Sequence, residues 1–221
     1  AKNIFFIGNI KFCETVDKKN LNKNELLLSS KNFWFAASTH GNEEEFCLKT
    51  HLEVKKKITN IMTVIAPRHV NRSIDIKRMC KRYNLTCQIL NPGDDILSDK
   101  EIIIINYYGA LASFFKNAKS TFIGKSTVKK LQSEGGQSPI VAAKLGCKIY
   151  HGPFIYNFKE IYEILEKNKV SKKIDNFKEL ANYLILDLKS NNEKNFNFSN
   201  LINNLGKKIL LETTKKINNL G

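Results

Sequence analysis

Apolar runs of strand length alternate along this chain with stretches of helical periodicity. The runs are IFFIGNI (4–10), FWFAA (33–37), IMTVIA (61–66), TCQIL (86–90), EIIIIN (101–106), STFIG (120–124) and CKIYH (147–151). Several are almost continuously β-branched or aromatic, which marks strands buried on both faces, as in a parallel sheet covered by helices on either side. Between them the periodicity predicts helices over 42–57, 72–83, 109–117 and 138–145. From residue 154 onward the pattern turns helical, over 157–168, 176–190 and 198–219, with an asparagine-rich polar joint at 190–197. The predicted fold class is α/β, a Rossmann-like doubly wound parallel sheet with carboxyl-terminal helices. The predicted division is a domain over 1–190 and a helical extension over 191–221.

Three places in this pattern carry candidate chemistry. In FIGKSTVKKLQSEGGQSPIVAAKLGCKIYHGP (122–153) a strand leads through Gly135-Gly136 to a helix whose first residues are Ser138 and Pro139. Serine suits the cap and proline the first helical position, so the free N–H groups of that helix should face the glycine turn. Such a turn at the carboxyl edge of a parallel sheet accepts phosphate; the same spacing also serves as a plain structural turn. Strand 61–66 ends at Pro67, and Arg68 then leaves the sheet at its carboxyl edge. A guanidinium there fits a phosphate or carboxylate, or a surface ion pair. In ASTHGNEEEF (37–46), Asn42 and Glu45 have capping-box spacing, and Glu43 and Glu44 fall in the positive first turn of the helix, which accounts for all three acids structurally. Ser38, Thr39 and His40 lie just before, at another strand end. No GxGxxG follows the first strand, which argues against a dinucleotide oxidoreductase.

Composition narrows the classes further. The 221 residues suffice for one full core. The opening AKNIFFIGN is too short and too strand-like for a signal peptide, and a start without an initiator Met reads as a piece of something longer. No apolar run approaches the roughly 20 residues that span a bilayer, so the chain as given is expected to be soluble. The five cysteines, Cys13, Cys47, Cys80, Cys87 and Cys147, are scattered, and the four histidines lack ligand spacing, so neither a disulfide frame nor a metal is expected. The formal net charge is +15, yet of 36 basic residues only Arg68, Arg72, Arg78 and Arg82 are arginine. Dispersed lysines read either as background composition or as attraction to an anionic membrane surface. Base readout relies on arginine, and no nucleic-acid motif is present, so no nucleic-acid partner is expected.

The glycine-rich segment resembles the donor motif of bacterial 3-deoxy-D-manno-octulosonic acid (Kdo) transferases. Their pattern runs Phe-Val-Gly-Gly-Ser, then Gly-Gly-His/Gln-Asn-Pro-Leu/Ile-Glu-Pro-Ala; here the second part reads GGQSPIVAA (135–143). GNIKF (8–12), AASTHGNEEE (36–45), IAPRH (65–69) and GPFIYNFKEI (152–161) fall in the family's order, so the similarity covers about residues 4 to 165. The resemblance implies the carboxyl-terminal, donor-binding domain of a GT-B glycosyltransferase, which transfers Kdo from CMP-Kdo to a lipid A precursor with inversion and without a metal or other cofactor. It implies CMP-Kdo and CMP as ligands, the lipid A precursor as a partner reached through the amino-terminal half, and a place on the cytoplasmic face of the bacterial inner membrane for the full-length protein.

The same resemblance implies site residues. Pro67 and Arg68 correspond to a nucleotide contact, and Tyr108, Gly109 and Ala110 to backbone contacts with the nucleotide. Gly135, Gly136, Gln137, Ser138, Pro139, Ile140 and Val141 form the donor turn, and Lys11 would meet the sugar carboxylate or phosphate. His40 and Asn157 complete the set. The family's general base lies in the amino-terminal half, so no catalytic residue is nominated in this chain, and a late helix, 198–219 here, would return to that half. The chain departs from the pattern at Val141, where the family has glutamate, at Ser138 for asparagine, at Asn106, Tyr107 and Ala110 for Asp, Thr and Glu, and by extra residues within KKLQSE. The rival readings are a GT-B donor domain for a UDP-sugar and a non-catalytic basic module for RNA or membrane.

Overall fold

Ile102 to Ile105 offer solvent no polar side chain, and all four are buried in a strand with neighbours on both sides. The same double-sided burial organises the whole molecule. The computed structural model describes residues 13, 23–133, 135–190 and 196–218. Seven parallel strands among them, β1 (Asn32–Thr39), β2 (Ile61–Pro67), β3 (Cys87–Leu90), β4 (Ile102–Ile105), β5 (Ser120–Ile123), β6 (Lys148–His151) and β7 (Ser171–Lys173), form one sheet in the order β3-β4-β2-β1-β5-β6-β7. The described helices are α1 (Lys23–Ser30), α2 (Glu43–Lys55), α3 (Ser73–Arg82), α4 (Leu111–Asn117), α5 (Ile140–Lys144), α6 (Lys159–Lys167), α7 (Phe177–Lys189) and α8 (Phe196–Asn218).

Alternate side chains of each strand enter opposite cores, as the period of two demands. Phe33, Phe35, Ala37, Met62, Val64, Ile103 and Ile105 join the cluster packed with residues of α4, α5 and α6. Trp34, Ala36, Ile61, Ile65, Ile102, Ile104 and Phe122 join the cluster packed with residues of α2, α3 and α7. The doubly wound α/β reading therefore holds. The cysteines are free thiols, with Cys47, Cys80 and Cys147 buried. Among the described residues no helix is long and apolar enough to cross a membrane.

Local expectations fared unevenly. The strand expected over 4–10 and the site residue Lys11 lie outside the described residues. Strands β1 and β2 extend one or two residues past their apolar runs. Helix α5 opens at Ile140 and has five residues; Ser138 Oγ stands 3.5 Å from the Ile140 N–H, a long contact rather than a firm cap. The capping box expected at Asn42 does not form. Asn42 is left-handed at φ 74° and makes no side-chain cap, and the Glu45 carboxylate instead accepts from the Tyr83 hydroxyl at 2.5 Å. Strand β7 and helix α1 have no counterpart in the apolar pattern.

Helix α8 carries two environments. Its amino half lies on α5, where Ser199 Oγ donates to the Lys144 carbonyl at 2.5 Å and Ile202 is buried. Ile209 is also buried, but Leu210, Leu211 and Ile217 beyond it are exposed.

Candidate functional site

The chain leaves β1 for β2, passes to the outermost strand β3, comes back between β3 and β2 as β4, then crosses to the other side of β1 as β5. The carboxyl ends of β1 and β5 therefore diverge in direction of winding, and that switch point is where doubly wound sheets place ligands. Every described candidate residue lies at this edge: His40 after β1, Pro67 and Arg68 at the end of β2, Tyr108 to Ala110 after β4, Gly135 to Val141 after β5, and Asn157 after β6.

Hydrogen bonds draw four of these strand ends together. The Arg68 N–H donates to the Thr39 carbonyl at 2.9 Å, which ties the end of β2 to that of β1. The Arg68 side chain is exposed, and among the described residues no ion pair takes its guanidinium. The surface ion pair offered as an alternative is thus absent there. Arg72, by contrast, is committed: its Nε and Nη2 donate to the buried Glu44 at 2.9 and 3.1 Å. Burial raises the Glu44 pKa, and Arg72 works against that rise.

His40 and His69 meet edge to face, with ring centroids 5.8 Å apart. Burial lowers the His40 pKa, more than its hydrogen bond with the Ser38 carbonyl raises it, so the ring is neutral near pH 7. Strain gathers at the same place. Ser38 (φ 56°), Asn42 (φ 74°) and Lys125 (φ 57°) are left-handed non-glycine residues, and the register between β1 and β2 shifts at Ala37/Thr39. The Thr39 hydroxyl is buried there and has no hydrogen-bond partner among the described residues. Non-glycine residues adopt this conformation at a cost of order 1 kcal/mol or more each, so it persists where surrounding contacts fix it.

The glycine turn is built for close packing. A methyl on Gly135 would stand 2.5 Å from the Phe154 carbonyl oxygen, and Gly136 is at φ 90°. The Gly136 N–H donates to the Lys125 carbonyl at 2.6 Å, and the Gly135 carbonyl accepts from the Asn157 N–H at 3.1 Å. The glycines thus knit the β5 and β6 ends together, while Gln137 and Ser138 beside them are half-buried. Tyr162 on α6 donates its hydroxyl to the Gln137 carbonyl at 3.2 Å. Pro139 and Ile140 are buried, and Val141 packs, half-buried, against the core. Asn157 lines an open groove of about 420 Å³ with Tyr156 and Lys159.

The β4 end stands apart. Asn106 is tied by Ser73 and Asn91 side chains, at 3.0 and 2.9 Å, and Tyr108 and Gly109 beyond it are exposed. At about 4.8 Å per strand, two steps separate β4 from β1, so this loop reaches the switch point from about 10 Å away. Among the described residues no group of His, Cys, Asp or Glu side chains is arranged to hold a metal ion.

No protein-family model matches the chain. Over 190 residues, 84% of its length, it is 30% identical to the 3-deoxy-D-manno-octulosonic acid transferase of Rickettsia conorii, and it covers 40% of that protein. The enzyme of the same description from Haemophilus influenzae is 27% identical over 164 residues, 72% of this chain and 37% of that one. By sequence, this chain is similar to part of the Kdo transferases. It spans about two fifths of the length of the curated relatives it matches. Among solved structures, the C-terminal CMP-Kdo binding domain of WaaA from Acinetobacter baumannii matches with a TM-score of 0.66 at 18% identity, over 83% of this chain and 91% of that domain. The fold is that of a GT-B carboxyl-terminal domain.

Sequence reasoning missed one feature of this edge. Glu43, read only as a favourable charge near a helix start, is completely buried and accepts hydrogen bonds from both the β1 and β5 ends. Its position in AASTHGNEEE, directly after a strand end, was the available signal; its partners, up to 84 residues away, were not.

Proposed function

We propose that this chain is the donor-binding half of a glycosyltransferase that moves Kdo from CMP-Kdo to a lipid A precursor in lipopolysaccharide core biosynthesis. The observation that carries this reading is the 30% identity to a Kdo transferase along 84% of the chain. The unpaired Arg68 at the switch point supports it, because a planar, permanent cation there is suited to the single phosphate of the donor. In the proposed step the acceptor hydroxyl attacks the anomeric carbon, the bond from that carbon to the phosphate oxygen breaks, and CMP leaves as the anion. Arg68 would stabilise the charge that develops on the phosphate, with Gln137 and Ser138 alongside. Tyr108 to Ala110 would border the nucleotide, and Lys11, His40 and Asn157 the sugar side.

The acceptor's proton goes to a base in the amino-terminal half. In keeping with this, the acids nearest the switch point are all engaged: Glu43 by loop amides, Glu44 by Arg72, and Glu45 by Tyr83 and Lys49. A lone phosphate can be held by cationic side chains, so transfer should need no divalent metal. The exposed far end of α8 would rest on the amino-terminal half, making 191–221 an extension of the 1–190 domain. The lysine-rich surface would face the anionic cytoplasmic leaflet of the inner membrane.

The test is transfer of Kdo from CMP-Kdo to a lipid A precursor by a full-length protein carrying this sequence, in the presence of a chelator. Retained transfer supports the reading, with none expected from the 221-residue chain alone. Failure of the full-length protein with CMP-Kdo, and turnover with a UDP-sugar instead, would contradict it.

A further inference from the structure

Four backbone N–H groups and one hydroxyl converge on the Glu43 carboxylate. Oε2 accepts from the N–H groups of Lys125 at 2.6 Å and His40 at 3.0 Å. Oε1 accepts from the N–H groups of Ser126 and Thr127 and from Thr127 Oγ1, each at 2.9 Å. Successive amides turned toward one point form an anion-binding concavity of the kind that elsewhere receives phosphate. Here its occupant is part of the chain and is fully buried. No space remains for a second anion on the Gly124 side: a methyl on Gly124 would stand 2.8 Å from Glu43 Oε2 and 2.5 Å from the Ser38 carbonyl oxygen.

This arrangement has two effects on the switch point. It removes the amides of residues 125–127 from the groups available to a ligand. It also fixes the strained Lys125 backbone and the turn bearing His40 to one another, against the Thr39 carbonyl that holds Arg68. We propose that Glu43 is a positioning residue of the donor site: by filling the amide concavity after β5 from within, it sets the spacing of the cationic edge and directs the donor's phosphate to side chains rather than to loop amides. The inference rests on the donor reading given above.

The experiment compares CMP with cytidine, by calorimetric titration of the wild-type chain and of Glu43→Gln and Thr127→Val, with a thermal melt of each. Gln keeps the shape but turns an NH2 group toward N–H donors. Thr127→Val removes one of the five donors and keeps the volume, so it carries the test if Glu43→Gln does not fold. CMP affinity should fall roughly ten- to a hundredfold in Glu43→Gln and by less, in the same direction, in Thr127→Val. Cytidine affinity should change little, because the loss falls on the phosphate side; a general loss of fold would lower both ligands together. In Glu43→Ala, formate should occupy the vacated concavity, shift the amide resonances of residues 40 and 125–127, and restore part of the CMP affinity. Wild-type binding of CMP with no change in the folded variants, or equal losses for CMP and cytidine, would overturn this inference alone. Absence of CMP binding by the wild type would overturn the donor reading and the inference with it.

Discussion

Arg68 and His51 show how differently a charged or titratable side chain serves this molecule. Among the described residues Arg68 bonds through its backbone, to the Thr39 carbonyl, and its exposed side chain is available to a ligand and contributes little to the fold. Arg68→Ala should weaken CMP by about 1.5–3 kcal/mol, the range for a hydrogen bond to a charged group, with cytidine almost unaffected and the urea midpoint unchanged. Equal losses for the two ligands would show that the guanidinium does not meet the phosphate. His51 is the opposite case, fully buried with Nδ1 2.8 Å from the Thr63 hydroxyl. Burial depresses its pKa from 6.5 to about 4, with Glu101 pulling upward and Lys55 downward. Between those values the unfolded chain binds a proton that the folded chain refuses. The stability tied to His51 is therefore complete above about pH 6.5 and is lost as the pH falls toward about 4, by about 3 kcal/mol. Urea titrations across that window should show a steep decline that His51→Gln flattens; parallel profiles would remove His51 as the cause. Legibility at this scale was poorest for the acids. Glu43, Glu44 and Glu45 look alike in sequence, and their partners, 28 to 84 residues distant for the longest contacts, are visible only once the sheet has assembled.

Elements were legible where burial imposes a composition. The strands now called β1, β2 and β4 are sandwiched between helices, so their sequences are apolar at successive positions and announce themselves. Strand β7 does not, because it lies at the sheet edge and needs only backbone pairing with β6; two of its three residues are exposed lysines, which discourage further strand addition. The start of α2 was equally hidden, since its cap residue is a left-handed Asn42 without the side-chain bond that the Asn42 and Glu45 spacing promised. Helix α8 was predicted within two residues, but only the structure separates its supported half from its exposed one. Ile202→Ala should therefore destabilise the chain by about 2–5 kcal/mol, whereas Leu210→Ser or Ile217→Ser should stay within about 0.5 kcal/mol. Chemical denaturation measures both, and comparable losses at the two ends would show that α8 packs along its whole length.

At the scale of the whole molecule, topology accounts for what the motifs alone left open. The blocks around His40, Arg68, Gly135 and Asn157 are far apart in sequence, and the strand order brings all of them to one edge. The family resemblance made that set readable beforehand. The filling of the amide concavity by Glu43 was not readable, because it depends on two loops meeting across the switch point. The central claim is that this edge receives a cytidine monophosphate ester, and amide-resolved titration of the 221-residue chain with CMP tests it most directly. The account predicts saturable shifts confined to the loops around His40, Arg68, Gly109 and Ser138, weaker binding of UMP, and retention of the CMP shifts in chelator. No shifts at millimolar CMP, or shifts spread over the lysine-rich surface and abolished by moderate salt, would contradict it.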